Sequence, residues 1–174
     1  YSKKYYYSDK SKIGINLIGY ASHALGIGED LRSTVYALNT ANINTSIIDF
    51  PPGSFKGREE KTLQNRIQTN HDFKITIFCL TAEETLRYIN KVGRRNLLDK
   101  YVIGYWPWEL PLWPKAWINA INYVDEIWVA SNHIRSSLID KTDKTIKVMP
   151  LCVDQEGYSI SQQTEKERTI NRNR

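Results

Sequence analysis

Six short apolar runs, separated by helix-patterned segments, constrain this chain more than any other feature. The runs fall at residues 13–20, 45–50, 73–80, 101–104, 126–130 and 146–151. Between the first two, Leu31, Val35 and Leu38 recur at helical spacing, with Glu29 and Asp30 at the positive end of the helix and Asn42 or Asn44 closing it. Pro51-Pro52-Gly53 stops the second run. Thr81-Ala-Glu-Glu84 reads as a capping box, and Gly93 as the residue that closes the helix carrying Leu86 and Ile89. Pro114 opens a helix whose face is Trp117, Ile118, Ile121 and Val124; Ser131 caps one with Ile134 and Leu138 inward. Strands that alternate with helices on short connections predict an α/β, Rossmann-like parallel sheet with helices on both faces. Residues 51–71, polar around Phe55, Leu63 and Ile67, read as a mobile loop with a short helix. Residues 1–12 read as an N-terminal arm, 13–154 as the folded domain and 155–174 as a polar linker or tail.

All five tryptophans lie between Trp106 and Trp128. The stretch Gly104-Tyr-Trp-Pro-Trp-Glu-Leu-Pro-Leu-Trp-Pro114 leaves the fourth strand and meets Pro107, Pro111 and Pro114, each of which would cost a ladder hydrogen bond. Two readings fit: a hydrophobic plug over a sheet edge, or a binding site. Parallel α/β sheets bind ligands beyond the carboxyl ends of their strands, where this loop starts, and that favours a site. Glu109, flanked by Trp108, Leu110 and Pro111, is then a candidate catalytic group, its carboxyl partly desolvated or accepting from sugar hydroxyls. The bland alternative has Glu109 capping a turn or pairing with Lys115 or Arg135. Trp113 and Trp117 are expected to pack the following helix onto the sheet, and Trp128 to be core.

The net charge of +5 sits mostly at the ends. Residues 1–12 hold four Lys against one Asp, and residues 155–174 hold four basic residues against three Glu. The folded body is left nearly neutral, so the basic stripe of a nucleic-acid binder is missing. Contact with anionic lipid or phosphorylated ligands stays open. No apolar run approaches the roughly 20 residues that span a bilayer. Cys79 and Cys152 lie in apolar runs without ligand spacing and read as small core residues of a reducing compartment; His23, His71 and His133 form no metal motif.

Gly26-Ile-Gly28, followed by Glu29 at a helix start, suits a phosphate or a sugar hydroxyl. A dinucleotide fingerprint would need a third glycine where Leu31 stands. Asp49 nevertheless imitates the ribose-binding acid of NAD(P) domains, so an NAD(P)-binding oxidoreductase domain stays a rival. A non-catalytic carbohydrate-binding module is another. Neither a phosphate-binding P-loop nor a Gly-x-Ser-x-Gly elbow occurs.

Three stretches together resemble the bacterial GT4-type glycosyltransferases. They are Gly19-Tyr20 with Leu25-Gly-Ile-Gly-Glu29 and Arg32; Tyr105-Trp-Pro-Trp-Glu-Leu-Pro111, then Trp117 and Val124-Asp-Glu-Ile-Trp-Val-Ala-Ser131; and Met149-Pro-Leu-Cys-Val-Asp154, where Cys152 replaces the usual Gly. The resemblance covers about residues 13–154. It implies the N-terminal, acceptor-side half of a GT-B fold: two Rossmann-like domains across a cleft that move a sugar from a nucleotide-sugar donor to a glycan or lipid-linked acceptor, with retention and without a metal or other cofactor. By resemblance Gly26, Gly28 and Glu29 line the cleft near the donor phosphate or reacting sugar, and Trp106, Trp108 and Glu109 line the acceptor side. Trp108-Glu109 takes the place of a His-containing segment of many relatives, so no catalytic histidine is assigned. The donor-binding domain, with its Glu-x7-Glu motif, is expected beyond the linker, and residues 1–174 alone are expected to be inactive. The implied setting is cytoplasmic, at the inner face of a membrane, with peripheral contact.

Overall fold

The computed structural model describes residues 13–53 and 58–153. The expected arm and tail lie outside the described residues. Strand β1 (Gly14–Gly19) leads to helix α1 (Gly26–Thr40) and strand β2 (Asn44–Asp49). Then come β3 (Ile75–Cys79), α2 (Ala82–Val92), β4 (Tyr101–Tyr105), a 3-10 helix (Lys115–Tyr123), β5 (Glu126–Val129), α3 (Asn132–Leu138) and β6 (Ile146–Val148). All five strand pairings are parallel, in the order β2-β1-β3-β4-β5-β6.

That order reverses direction once, at β1. Parallel crossovers are right-handed, so a crossover that steps left from β1 and crossovers that step right from β3 place their helices on opposite faces. The core divides accordingly. Leu31 and Val35 of α1 pack with Leu17, Ile47, Ile77 and Ile103. Tyr88 and Ile89 of α2, Ile121 of the 3-10 helix and Ile134 and Leu138 of α3 pack with Ile18, Ile48, Phe78 and Val102. Successive strand residues feed opposite clusters, as the two-residue repeat of a strand requires. The chain therefore has an α/β, Rossmann-like fold.

Several local signals act as read. Thr81 Oγ1 accepts from Glu84 N–H at 3.1 Å, although the Glu84 carboxylate turns to Arg87 instead of closing the capping box. Gly93 ends α2 with φ at 85°, and Ser131 caps α3. Asn42 follows α1 with φ at 56°. Pro114 caps its helix from one residue before it. The 3-10 geometry of that helix suits its sequence: Ile118 and Ile121, with Val124 just past its end, stand three apart, and such residues eclipse in a 3-10 helix.

Two readings need correction. Residues 58–71 are not a free loop. Gln68 donates to the Ile47 carbonyl at 2.7 Å, Ile67 bridges Ile47 in parallel, and Leu63 is buried beneath. This bridge is the rudiment of a further strand outside β2, so the reversal stays at β1 however it is counted. Cys152 is exposed, because the chain leaves the sheet after Val148, four residues earlier. Cys79 is buried as expected, and burial pushes its thiol up to about 12.

Asn16 ties the amino-terminal edge together. Wholly buried on β1, its amide donates to the Phe73 and Ile75 carbonyls at 2.8 and 3.0 Å, and its oxygen accepts from Phe73 N–H at 3.0 Å. Asn16→Ala strands these groups and is expected to cost about 2–4 kcal/mol, read by urea unfolding. Nearby, His71 bonds Tyr88 through Nε2 at 3.1 Å, while its buried Nδ1 has no partner among the described residues. Burial first, and the Lys100 charge second, hold its pKa below the ordinary 6.5. The unfolded chain therefore takes up this proton first as pH falls. His71's contribution is complete above the unfolded value and is lost as pH falls from there through the lower folded value. Between about pH 7 and 5, His71→Asn should flatten the fall of Tm with pH.

Candidate functional site

The carboxyl edge at the β1/β3 reversal is where this sheet type opens a crevice, because the connections on either side run to opposite faces. Three connections start from that edge: residues 20–25 after β1, residues 50–53 and 58–60 after β2, and the tryptophan loop after β4. Segment 58–60 lies antiparallel along residues 22–24. Ala24 N–H reaches the Arg58 carbonyl and Glu60 N–H the Ser22 carbonyl, both at 3.0 Å. Glu60 accepts from Thr62 and Lys61, and those bonds hold its carboxyl down to about 2.

The two glycines differ in purpose. Gly28 starts so close to the β1 connection that a Cβ would stand 2.6 Å from the His23 carbonyl oxygen and 2.7 Å from that of Tyr20. Around Gly26 there is open space and no unusual φ. Leu25, the residue before α1, gives no side-chain cap. Glu29 does face solvent, 69% exposed, and is paired with Arg32 at 2.7 Å. The Arg32 guanidinium also reaches the His23 carbonyl at 3.3 Å, so the helix start and the β1 connection form one unit. An open hollow of about 460 Å³ adjoins it, lined by Glu29, Arg32, Tyr36, Glu60 and Cys152.

The tryptophan loop is both plug and rim. Trp106 is 0% exposed, its Nε1–H bonded to Thr85 Oγ1 at 3.1 Å. Its ring folds back over Gly104, where a Cβ would collide with it. The expectation that Trp106 meets a ligand is therefore corrected: it is core, with no surface to offer. Trp113 is buried against it at 5.9 Å between centroids. Trp108 is half-buried, set edge-on to Trp117 at 4.7 Å and to Trp113 at 6.0 Å, with its Nε1–H on the Leu112 carbonyl. Glu109 is exposed, and its carboxylate has no ion pair among the described residues. The expected desolvation of that carboxyl is absent. Leu112, at 80% exposed, forms the tip. Trp128, expected in the core, is only half-buried; its Nε1–H donates to Glu126 Oε1.

Both motifs follow strands at the same edge of the sheet. Leu25 and Ile27 of the glycine loop and Trp108 pack on the same apolar cluster. His133 in the first turn of α3 lies 3.2 Å from the Glu109 carbonyl and anchors the loop from the other side. Sequence reasoning missed that anchor, and missed a polar cluster at residues 22, 23 and 49. Ser22 Oγ donates to Asp49 Oδ2, Ser22 N–H lies 3.2 Å from Asp49 Oδ1, and Ser22 Oγ lies 3.1 Å from His23 Nδ1. The signal available was register: Gly19 pairs with Asp49, so the β1 connection must pass that carboxylate. Both of its oxygens already serve Ser22, whereas a ribose-binding acid would present them to ligand hydroxyls.

Burial raises the Tyr20 pKa, reinforced by the Glu84 carboxylate of α2. Arg87 closes this side, its guanidinium on the Pro51 carbonyl at 2.7 Å and over the Phe50 ring. Among the described residues no group of three His, Cys, Asp or Glu is placed to hold a metal, and no helix is long and apolar enough to cross a membrane. No family model, curated protein or solved structure matches the chain.

Gly28→Ala is expected to displace the β1 connection and cost about 1–3 kcal/mol through overpacking. Gly26→Ala should be neutral or stabilise by up to about 1 kcal/mol, since nothing obstructs its Cβ. Thermal melts of the two variants side by side check the contrast; equal effects would contradict it.

Proposed function

We propose that the chain forms the acceptor-side domain of a retaining, GT-B glycosyltransferase that moves a sugar from a nucleotide-sugar to a glycan or lipid-linked acceptor. The observation that carries the reading is that two separate sequence motifs, the glycine loop after β1 and the tryptophan loop after β4, both lie at carboxyl ends of strands of one parallel sheet and pack against the same apolar cluster. Those two stretches are also two of the three that resemble GT4-type enzymes. An aromatic edge at Trp108 beside the free carboxylate of Glu109 suits a sugar, whose ring packs on an aromatic side chain while its hydroxyls donate to an acid. Bound this way, the acceptor is positioned before the reaction, and positioning alone contributes a large part of such a rate. The donor is held chiefly by a second domain, and reaction takes place in the cleft between the two. The exposed apolar tip at Leu110 and Leu112 fits an acceptor with a lipid portion, in keeping with work at the cytoplasmic face of a membrane.

The occupied state of Asp49 weighs against a nicotinamide site. In the full-length protein, Trp108→Ala and Glu109→Ala should each lower kcat/KM for transfer from the cognate UDP-sugar at least tenfold, with an unchanged circular dichroism spectrum. Full activity in both variants, or tight NAD(H) binding that depends on Asp49, would sink the reading.

A further inference from the structure

The polar cluster of Ser22, His23 and Asp49 has a definite proton arrangement. A carboxylate only accepts, so the short contact between Ser22 Oγ and Asp49 Oδ2 holds the single hydroxyl proton of Ser22. Ser22 Oγ is then an acceptor toward His23 Nδ1, 3.1 Å away, and Nδ1 must carry the ring proton. The direction of the whole chain follows: His23 Nδ1–H to Ser22 Oγ, Ser22 Oγ–H to Asp49. A neutral imidazole with its proton on Nδ1 keeps the lone pair on Nε2. No described residue bonds that nitrogen.

The backbone is fixed as firmly. The His23 carbonyl is held by Arg32 and stands against Gly28, and residue 23 bridges Glu59. The half-buried ring is thus placed in the β1 connection, on the carboxyl edge at the strand-order reversal. A hydroxyl or thiol nucleophile is not what this cluster makes, since serine sits between the acid and the imidazole and gives its proton to the acid.

We propose that His23 is a ligand-positioning residue of the cleft, locked by Ser22 and Asp49 as the Nδ1–H tautomer so that Nε2 accepts a hydrogen bond from a sugar hydroxyl. The ligand class rests on the glycosyltransferase reading; the tautomer does not. It also gives the glycine loop a further purpose: Gly28 is small so that the His23 connection can lie on the first turn of α1.

The test is heteronuclear NMR of the imidazole nitrogens in the full-length protein, with the His23 signals identified by their loss in His23→Asn. The expected spectrum shows Nδ1 protonated and Nε2 bare, and Ser22→Ala returns the ring to the Nε2–H form. Titration with a panel of UDP-sugars and free mono- and disaccharides should move the Nε2 resonance. His23→Asn, which keeps a donor toward Ser22 but has no Nε2 acceptor, should weaken the shifting sugar at least tenfold while the melt is unchanged. A wild-type ring protonated on Nε2 overturns the inference whatever the enzyme does. An Nδ1–H ring whose Nε2 no member of the panel moves overturns the ligand role and leaves the glycosyltransferase reading to its own assay.

Discussion

Strand β1 is hydrogen-bonded on one side to β2 and on the other to β3, and the architecture follows from that double pairing. With right-handed crossovers, the sheet must place α1 on one face and α2 with the later helices on the other. The two helices that follow β1 and β3 then leave the carboxyl edge in opposite directions, and a crevice opens between their connections. Asn16 secures the same strand at its far end by holding the main chain of residues 73–75. Gly19 secures it near the crevice, where a Cβ would stand 2.7 Å from the Cys79 carbonyl.

The tryptophan loop combines buried rings and a half-exposed one in a single segment. Trp106 and Trp113 pack against each other in the apolar cluster that α2 and the 3-10 helix join; the indole nitrogen of Trp106 finds a partner in Thr85, whereas the buried one of Trp113 has none among the described residues. Trp108 uses that filling as a platform and keeps part of its surface free. Prolines at 107, 111 and 114 end strand pairing at Tyr105 and hold the loop open. Plug and rim were competing readings of the sequence; in the fold they are neighbouring residues of one loop.

The polar side of the edge has a different logic. Ser22, Glu29 and Arg32 come from the β1 connection and the start of α1, and Asp49 and Glu60 from β2 and beyond it, yet each bonds to, or flanks, the connection that carries His23. Glu29 and Arg32 form an ion pair, Asp49 is held by Ser22, and Glu60 accepts from Lys61 and Thr62.

The alternation of apolar runs and helical faces was enough to determine the strands, their parallel pairing and most helix ends, because turn and cap chemistry acts within a few residues: Thr81, Gly93, Ser131 and the prolines do locally what their side chains dictate. The two motif loops were legible for the same reason, being continuous in sequence. Which aromatic ring is buried was not, since Trp106 and Trp108 are two residues apart and equally apolar, and only packing over Gly104 and Thr85 separates them. The exposure of Cys152 depended on where the last strand pairing ends. The Ser22–His23–Asp49 chain and the His133 anchor were settled by register and crossover, which bring residues 27 and 24 positions apart to hydrogen-bond distance. Periodicity determines what a segment is; which segments share an edge is decided only when the sheet closes its hydrogen bonds.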